Sequence, residues 1–127
     1  MIEPAAMPDN KNRRVLIVED EPVIAFALEE LLIASGFQIA GVATRLEAAL
    51  AVIESGVCDA AIIDTNLAGV SAGPAAVALK ARGVPYLILS GYSSSQLLSV
   101  FSGAPCLQKP CRPDRLVEAL CSILPDR

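Results

Sequence analysis

The sequence predicts a doubly wound α/β domain, in which helices cover both faces of a five-stranded parallel sheet. Short apolar runs rich in β-branched residues alternate with helical patterns, as strands buried on both faces alternate with their crossover helices. Each unit of strand and helix takes about 20 to 25 residues, which leaves room for the crossover. Such crossovers are right-handed, so the sheet is expected to be parallel with helices on both sides.

Size and composition limit what the chain can be. Its 127 residues have room for one domain of ordinary size, and 54% hydrophobic residues with only 4% aromatics indicate an aliphatic core. A net charge of −4 disfavours binding to nucleic acid and to anionic membrane surfaces. The absence of histidine removes imidazole-dependent catalysis, histidine-ligated zinc and phosphorylation on histidine.

The expected compartment is the cytoplasm. No export signal precedes the first predicted strand, and prolines and glycines interrupt the uncharged run from residue 83 to residue 108, so we expect no membrane span. The cysteines form no C-x-x-C pair and are expected to be reduced core thiols, with Cys106 and Cys111 close enough in sequence to suggest redox sensitivity. The four cysteines are Cys58, Cys106, Cys111 and Cys121.

The first strand and helix follow a polar tail. Residues 1–13 are expected to be disordered, and the folded domain is expected to cover residues 14–125 with no output domain after it. The β-branched run Val15–Val18 predicts the first strand. A helical pattern covers Val23–Ala34, and Gly36 is placed to end it in the left-handed conformation.

A capping motif separates the second strand from its helix. Phe37–Ala43 predicts the second strand. Thr44 is the expected N-cap of a helix over Arg45–Glu54, with Glu47 as its capping-box partner. Asp59–Ile63, which is apolar after its first residue, then predicts the third strand.

The remaining elements complete five units. A loop leads to a third helix over Pro74–Arg82, and Pro85–Leu89 predicts the fourth strand. Gln96–Phe101 predicts a short fourth helix. Ala104–Leu107 predicts the fifth strand and Pro113–Leu124 the last helix.

Polar side chains that suit phosphoryl chemistry follow four of the predicted strands, and in such sheets ligands bind at the carboxyl ends of strands. In chain order they are Glu19 and Asp20, Asp64, Ser90 and Lys109. If the first and third strands are neighbours, the three carboxylates converge and need a cation, and Mg²⁺ suits them because it retains waters and leaves room for a phosphoryl group. Asp64 is the expected nucleophile, since a carboxylate can attack phosphorus to form an acyl phosphate. Lys109 and Ser90 would contact the phosphoryl oxygens.

Each of these residues taken alone has a plainer interpretation. Glu19 and Asp20 could complement the dipole of a helix N-terminus, and Asp64 could be a solvated acid at a strand end. Ser90 could be a turn residue and Lys109 an exposed loop lysine. Their combination at successive strand ends favours the phosphoryl site.

The chain resembles the receiver domains of response regulators in two-component signalling. Val15–Glu21 matches the family's first strand and acidic pair, and Asp59–Asp64 matches its third strand and phosphoacceptor. Leu107–Pro110 matches its lysine–proline motif, and the resemblance runs over residues 14–124. Ile88–Tyr92 is similar to a subgroup of stand-alone receivers whose fourth strand ends in Phe-Ala-Thr-Gly-Tyr.

The resemblance implies a flavodoxin-like (βα)5 fold with strand order 2-1-3-4-5. It implies that a histidine kinase or histidine phosphotransfer protein phosphorylates Asp64, that Lys109 pairs with the phosphoryl group, and that Ser90 swings toward it as a switch residue. Beyond Mg²⁺-dependent self-phosphorylation and dephosphorylation at Asp64, no enzyme activity is expected. The implied ligands of Mg²⁺ are Glu19, Asp20, Asp64 and the main-chain carbonyl of Asn66.

Two positions depart from the family pattern. Ala68 stands where most receivers have proline, four residues after the phosphoacceptor. Cys106 stands where the switch aromatic is usual, three residues before the lysine. Tyr92 is therefore a candidate for the aromatic residue that moves on phosphorylation. The alternative is that Tyr92 is a half-buried aromatic residue of a loop with no switch role.

The expected output is a protein contact. The first predicted helix is apolar on most sides, which favours deep packing or a docking face, and in receivers this face usually docks the kinase or phosphotransfer protein. The expected partners are that phosphodonor and a downstream protein target, with a homodimer as a further option and with neither nucleic acid nor membrane. The candidate partner-face residues are Val23, Phe26, Leu97 and Phe101.

Two other functions stay open from the sequence. A haloacid-dehalogenase-type phosphatase also uses an aspartate nucleophile, Mg²⁺ and a lysine, but it needs a second aspartate where this chain has Asn66. A phosphorylation-independent pseudo-receiver would act as a protein-binding module, as the departures at Ala68 and Cys106 allow. A pseudo-receiver does not need the three carboxylates and the lysine for its function. Metal binding therefore separates a phosphorylated receiver from a pseudo-receiver.

Overall fold

The fold is a five-stranded parallel sheet between two layers of helices. The structure, a computed structural model, describes residues 12–91 and 99–125. The strands of the sheet are β1 (Arg14–Val18), β2 (Gln38–Ala43), β3 (Ala60–Asp64), β6 (Tyr86–Ser90) and β7 (Cys106–Gln108), and a hairpin is formed by β4 (Asn66–Leu67) and β5 (Val70–Ser71). The helices are α1 (Pro22–Ala34), α2 (Leu46–Ser55), α3 (Gly73–Ala81) and α4 (Pro113–Ile123).

The strand order is β2-β1-β3-β6-β7, and every neighbouring pair is parallel. Counted without the hairpin, this is the predicted order 2-1-3-4-5, so the doubly wound fold is confirmed. The first crossover returns the chain to one side of β1, and the next carries it to the other side. The strand order therefore reverses between β1 and β3, where a ligand site is expected at the carboxyl ends.

Two apolar layers hold the sheet, and the alternation of side chains along β1 shows how. Leu16 and Val18 pack in the layer under α2 and α3. Val15 and Ile17 pack in the layer under α1 and α4. All of β3 is buried, as its uncharged sequence up to the final aspartate predicts. Each buried aliphatic side chain contributes about 1.5–3 kcal/mol, so the strands are a firm platform for the residues that follow them.

The predicted capping box before α2 is wrong. Arg45, with φ −138° and ψ 155°, is the N-cap, and no side-chain cap bond is found among the described residues. Because the backbone is still extended at Arg45, Thr44 lies one residue too early to cap the helix. Glu47 instead accepts a hydrogen bond from Arg45 Nε at 3.4 Å. At the end of α1, Gly36 has φ 95°, which confirms its left-handed conformation.

Several predictions concern segments near the edges of the described residues. Of the predicted helix Gln96–Phe101, residues 99–101 form a single 3-10 turn. Tyr92 and Leu97 lie outside the described residues. Phe101 is only 3% exposed and packs in the layer under α2 and α3, so its assignment to a partner face is wrong.

Arg13, the last residue of the predicted N-terminal tail, lies in the described part of the chain. Residues 1–11 lie outside the described part of the chain. Arg13 is buried and its guanidinium donates a hydrogen bond to the carbonyl of Pro125, so the fold already includes this arginine.

None of the four cysteines, all of which lie in the described part of the chain, forms a disulfide. Cys106 packs in the layer under α2 and α3, whereas Cys111 packs in the layer under α1 and α4. The sheet separates these two layers, which argues against a direct disulfide between the two thiols. Among the described helices, none has both the length and the apolar character that a membrane span requires.

Candidate functional site

Three carboxylates meet at the carboxyl ends of β1 and β3. Val18 lies beside Ile63 in the register of these strands, so the residues that follow them are neighbours. One carboxylate oxygen from each acidic residue lies within 4.8 Å of the other two. The three residues are Glu19, Asp20 and Asp64, as the sequence predicts.

Lys109 ties two of these carboxylates together. Its Nζ donates to Glu19 Oε1 at 2.8 Å and to Asp64 Oδ2 at 2.9 Å. Its own amide donates to the carbonyl of Ser90 at 2.7 Å, which fixes the lysine just beyond β7, and the bond to Pro110 is cis. The Glu19 side chain is 1% exposed, that of Asp64 11% and that of Lys109 20%, so the charges interact where water screens them poorly.

The pKa shifts follow from this geometry. Burial raises the pKa of Glu19, and the hydrogen bonds from Lys109 and from the Glu21 amide only partly offset it. Burial alone would lower the pKa of Lys109, but its hydrogen bonds and charge interactions with Glu19 and Asp64 outweigh burial and raise it. The lysine therefore remains positively charged.

A backbone amide donates to one oxygen of each of the three carboxylates. The amides of Glu21, Asn66 and Ala68 donate at 3.1 Å to Glu19 Oε2, Asp64 Oδ1 and Asp20 Oδ2, respectively. Each carboxylate is thus oriented by a loop that follows β1 or β3. These hydrogen bonds limit the rotation of the carboxylates and so keep them facing one another.

The hairpin explains why position 68 does not carry proline. Ala68 has φ 53° and Gly69 has φ 89°, a pair of positive angles that is typical of a two-residue type I′ turn. Proline has φ fixed near −65° and no N–H. It could neither adopt this turn nor donate to Asp20. The Gly69 amide closes the loop on Asn66 Oδ1 at 2.7 Å.

Ser90 lies at the end of β6 and is fully buried, with its hydroxyl 3.2 Å from the hydroxyl of Thr65. Thr65 follows the candidate phosphoacceptor directly and was not singled out from the sequence. One signal could have found it: Thr65 lies two residues after Ile63, so it shares the face of the sheet on which Ile63 packs.

The structure also places the predicted metal ligand Asn66 and two of the predicted partner-face residues, Val23 and Phe26. Asn66 begins the hairpin beside the carboxylates, and its carbonyl as a ligand of Mg²⁺ stays a prediction. Val23 and Phe26 are 82% and 63% exposed on α1, so both are accessible, and their role in partner binding also stays a prediction.

The donor set fits a hard divalent cation. With all three acids ionised and Lys109 protonated, the cluster carries a net charge of −2, since three negative charges face one positive charge. Carboxylate oxygens are the protein ligands that Mg²⁺ prefers, and a divalent cation would neutralise the remainder. The residues present therefore suit Mg²⁺.

Several known proteins are similar to this chain in fold and in sequence. The chain matches the family model of the response regulator receiver domain over residues 15–121. The solution structure of SdrG from Sphingomonas melonis Fr1 is 40% identical, with 87% of this chain and 95% of that chain covered and a TM-score of 0.77. The BeF3-activated conformation of SdrG from Pseudomonas melonis Fr1 is 41% identical, with 88% and 96% covered and a TM-score of 0.74.

A larger protein is also similar. The crystal structure of the response regulator PhyR from Brucella abortus is 27% identical, with 91% of this chain but 50% of that chain covered and a TM-score of 0.75. No curated protein gives a significant match. The family model covers most of the chain, and the acidic cluster, lysine and strand order agree with it. The chain belongs to the response regulator receiver domain family.

Proposed function

We propose that this receiver is a single-domain response regulator that accepts a phosphoryl group on Asp64. The donor would be a histidine kinase or a histidine phosphotransfer protein, and the output a phosphorylation-dependent protein contact or a phosphorelay. The observation that carries the proposal is the Asp64 carboxylate, paired at 2.9 Å with Lys109 and beside Glu19 and Asp20. SdrG, a relative of 41% identity, has a BeF3-activated conformation, which supports the same response here.

The transfer step needs no general base. A carboxylate oxygen of Asp64 attacks the phosphorus of the donor's phosphohistidine, and a phosphorus–oxygen bond forms as the phosphorus–nitrogen bond breaks. The electron pair of the broken bond stays on the imidazole nitrogen of the donor. When bound, Mg²⁺ would neutralise charge on the phosphoryl oxygens.

The residues of the chain orient and stabilise the phosphoryl group. Lys109 Nζ can leave its contact with Asp64 Oδ2 and pair with a phosphoryl oxygen, because it reaches the same carboxylate already. The Asn66 amide holds Asp64 Oδ1, which limits rotation of the nucleophile. Haloacid-dehalogenase chemistry does not fit this chain, since the chain belongs to the receiver family and the Asn66 side chain is a carboxamide where that chemistry needs a second carboxylate.

Intact-protein mass spectrometry after incubation with acetyl phosphate and Mg²⁺ tests the proposal. We expect one phosphoryl adduct on the wild type, none on Asp64→Asn and none when Mg²⁺ is chelated. The matched control is Asp114→Asn, because the Asp114 side chain is 65% exposed and pairs with Arg112, and it is not part of the acidic cluster. It should be modified as fully as the wild type.

Two results would contradict the proposal. An adduct of equal yield on Asp64→Asn would move the phosphoacceptor elsewhere. No adduct on the wild type, together with no binding of beryllofluoride, would favour the phosphorylation-independent pseudo-receiver.

A further inference from the structure

Two buried hydroxyl groups face each other beside the phosphoacceptor. Thr65 is 8% exposed and Ser90 is 0% exposed, and their hydroxyl oxygens are 3.2 Å apart. A buried hydroxyl without a partner is costly, so this hydrogen bond favours the arrangement in which both side chains point at each other.

The backbone fixes both partners. The carbonyl of Thr65 accepts the amide of Ala72 at 2.9 Å, which anchors it to the start of α3. The carbonyl of Ser90 accepts the amide of Lys109 at 2.7 Å, which anchors it to the lysine of the site. With both main chains held by these bonds, rotation of the Ser90 side chain is the movement that takes its hydroxyl away from Thr65, and that rotation breaks the bond between the two hydroxyls.

We propose that Thr65 is a positioning residue that holds the Ser90 hydroxyl away from the phosphoryl site in the unphosphorylated receiver. Ser90 would exchange the Thr65 oxygen for a phosphoryl oxygen when Asp64 is modified. This inference rests on the proposed function. It adds that Thr65 sets how readily the active conformer forms.

The size of the effect follows from the strength of one buried hydrogen bond. Such a bond shifts a two-state equilibrium by about two- to tenfold. A variant that lacks the Thr65 hydroxyl loses the bond in the inactive conformer but keeps the contact of Ser90 with the phosphoryl group. It should therefore bind a phosphoryl mimic more tightly.

The test compares beryllofluoride affinity in Mg²⁺, followed by the backbone amide resonances of the full chain. Thr65→Val removes the hydroxyl and keeps the branched shape, and we expect it to bind about two- to tenfold more tightly than the wild type. Thr65→Ser keeps a hydroxyl and is the matched control, with an affinity close to wild type.

A double-mutant cycle separates positioning from a general effect on structure. In a Ser90→Ala background the hydroxyl pair is already broken, so Thr65→Val should leave the beryllofluoride affinity unchanged. Thermal unfolding shows that each variant is folded. If Thr65→Val does not fold, Thr65→Ala replaces it with the same expectation.

Three outcomes would overturn the inference. The first is a folded Thr65→Val that binds beryllofluoride no more tightly than the wild type. The second is an equal gain in affinity with and without Ser90. The third is a wild type that binds no beryllofluoride, and that outcome alone also overturns the proposed function.

Discussion

At the scale of single residues, the site depends on the charge of one lysine. Lys109 Nζ lies 2.8 Å from Glu19 Oε1 and 2.9 Å from Asp64 Oδ2. Glu19 is almost fully buried, so its charge is stabilised by Lys109 and one amide more than by water. Removing one partner of such a pair leaves the other desolvated and unpaired, which costs more than the pair itself contributes.

Lys109→Met tests this dependence. Without Mg²⁺ we expect the free energy of unfolding to fall by about 1–3 kcal/mol, a range reduced for the partial exposure of the lysine. Mg²⁺ should restore more stability in the variant than in the wild type, because the cation then neutralises carboxylates that the lysine no longer pairs. Urea unfolding with and without Mg²⁺ measures both effects.

The control for this variant is Lys80→Met. Lys80 is exposed and its Nζ donates to the carbonyls of Val100 and Ser102, away from the carboxylates. Its removal should not change the stabilisation by Mg²⁺. Equal stabilisation of Lys109→Met and the wild type would show that the lysine and the cation do not share the same carboxylates.

At the scale of elements, the hairpin after β3 is what the sequence did not predict. Its strands, Asn66–Leu67 and Val70–Ser71, have two residues each, too short for an alternating pattern to be recognised. Its turn carries alanine where asparagine or glycine is usual. The sequence therefore predicts the segment between β3 and α3 as an irregular loop. Only the observed turn shows why proline is unsuitable at position 68.

The turn makes a prediction about Ala68. Ala68→Pro removes the amide that donates to Asp20 and cannot adopt φ 53°, so we expect a loss of about 2–4 kcal/mol in unfolding free energy and weaker Mg²⁺ binding. Ala68→Asn keeps the amide and tolerates the left-handed conformation, so it should gain about 0.5–1 kcal/mol.

Urea unfolding measures stability for these two variants, and a Mg²⁺ titration followed by amide resonances measures affinity. Ala68→Gly keeps the amide and is the control for positive φ. If Ala68→Pro matched the wild type in stability and in Mg²⁺ affinity, the hairpin would have no role in placing Asp20.

At the scale of the whole molecule, the sheet and the charged cluster were predictable and the hydroxyl pair was not. Local patterns predict the parallel sheet, and the family resemblance adds its strand order. Together they place Glu19, Asp20, Asp64 and Lys109 close to one another, because residues at the carboxyl ends of parallel strands meet at one edge. The Thr65 and Ser90 contact depends on how β6 is aligned with β3, since Asp64 pairs with Leu89 in that register. No local pattern in the sequence carries that alignment.

Buried ionisable groups in the core make the free energy of unfolding depend on pH. Burial raises the pKa of the thiols of Cys58 and Cys106 above the ordinary 9.0, and burial raises the pKa of the Tyr86 phenol above the ordinary 10.0. As the pH passes those ordinary values, the unfolded chain loses these protons while the folded chain keeps them. The unfolded state then binds fewer protons, so the free energy of unfolding falls as the pH rises.

Tyr86→Phe isolates one part of this alkaline loss. The Tyr86 hydroxyl is buried and has no hydrogen-bond partner among the described residues, so phenylalanine removes the ionising group and keeps the ring that packs under α2 and α3. Each coupled group lowers the unfolding free energy by up to about 1.4 kcal/mol per pH unit, so the variant should lose less stability than the wild type as the pH rises through the ordinary tyrosine pKa. Denaturant unfolding under reducing conditions gives the two pH profiles. If the profiles ran parallel, ionisation of Tyr86 would not be coupled to unfolding, and the alkaline loss would have to come from the thiols alone.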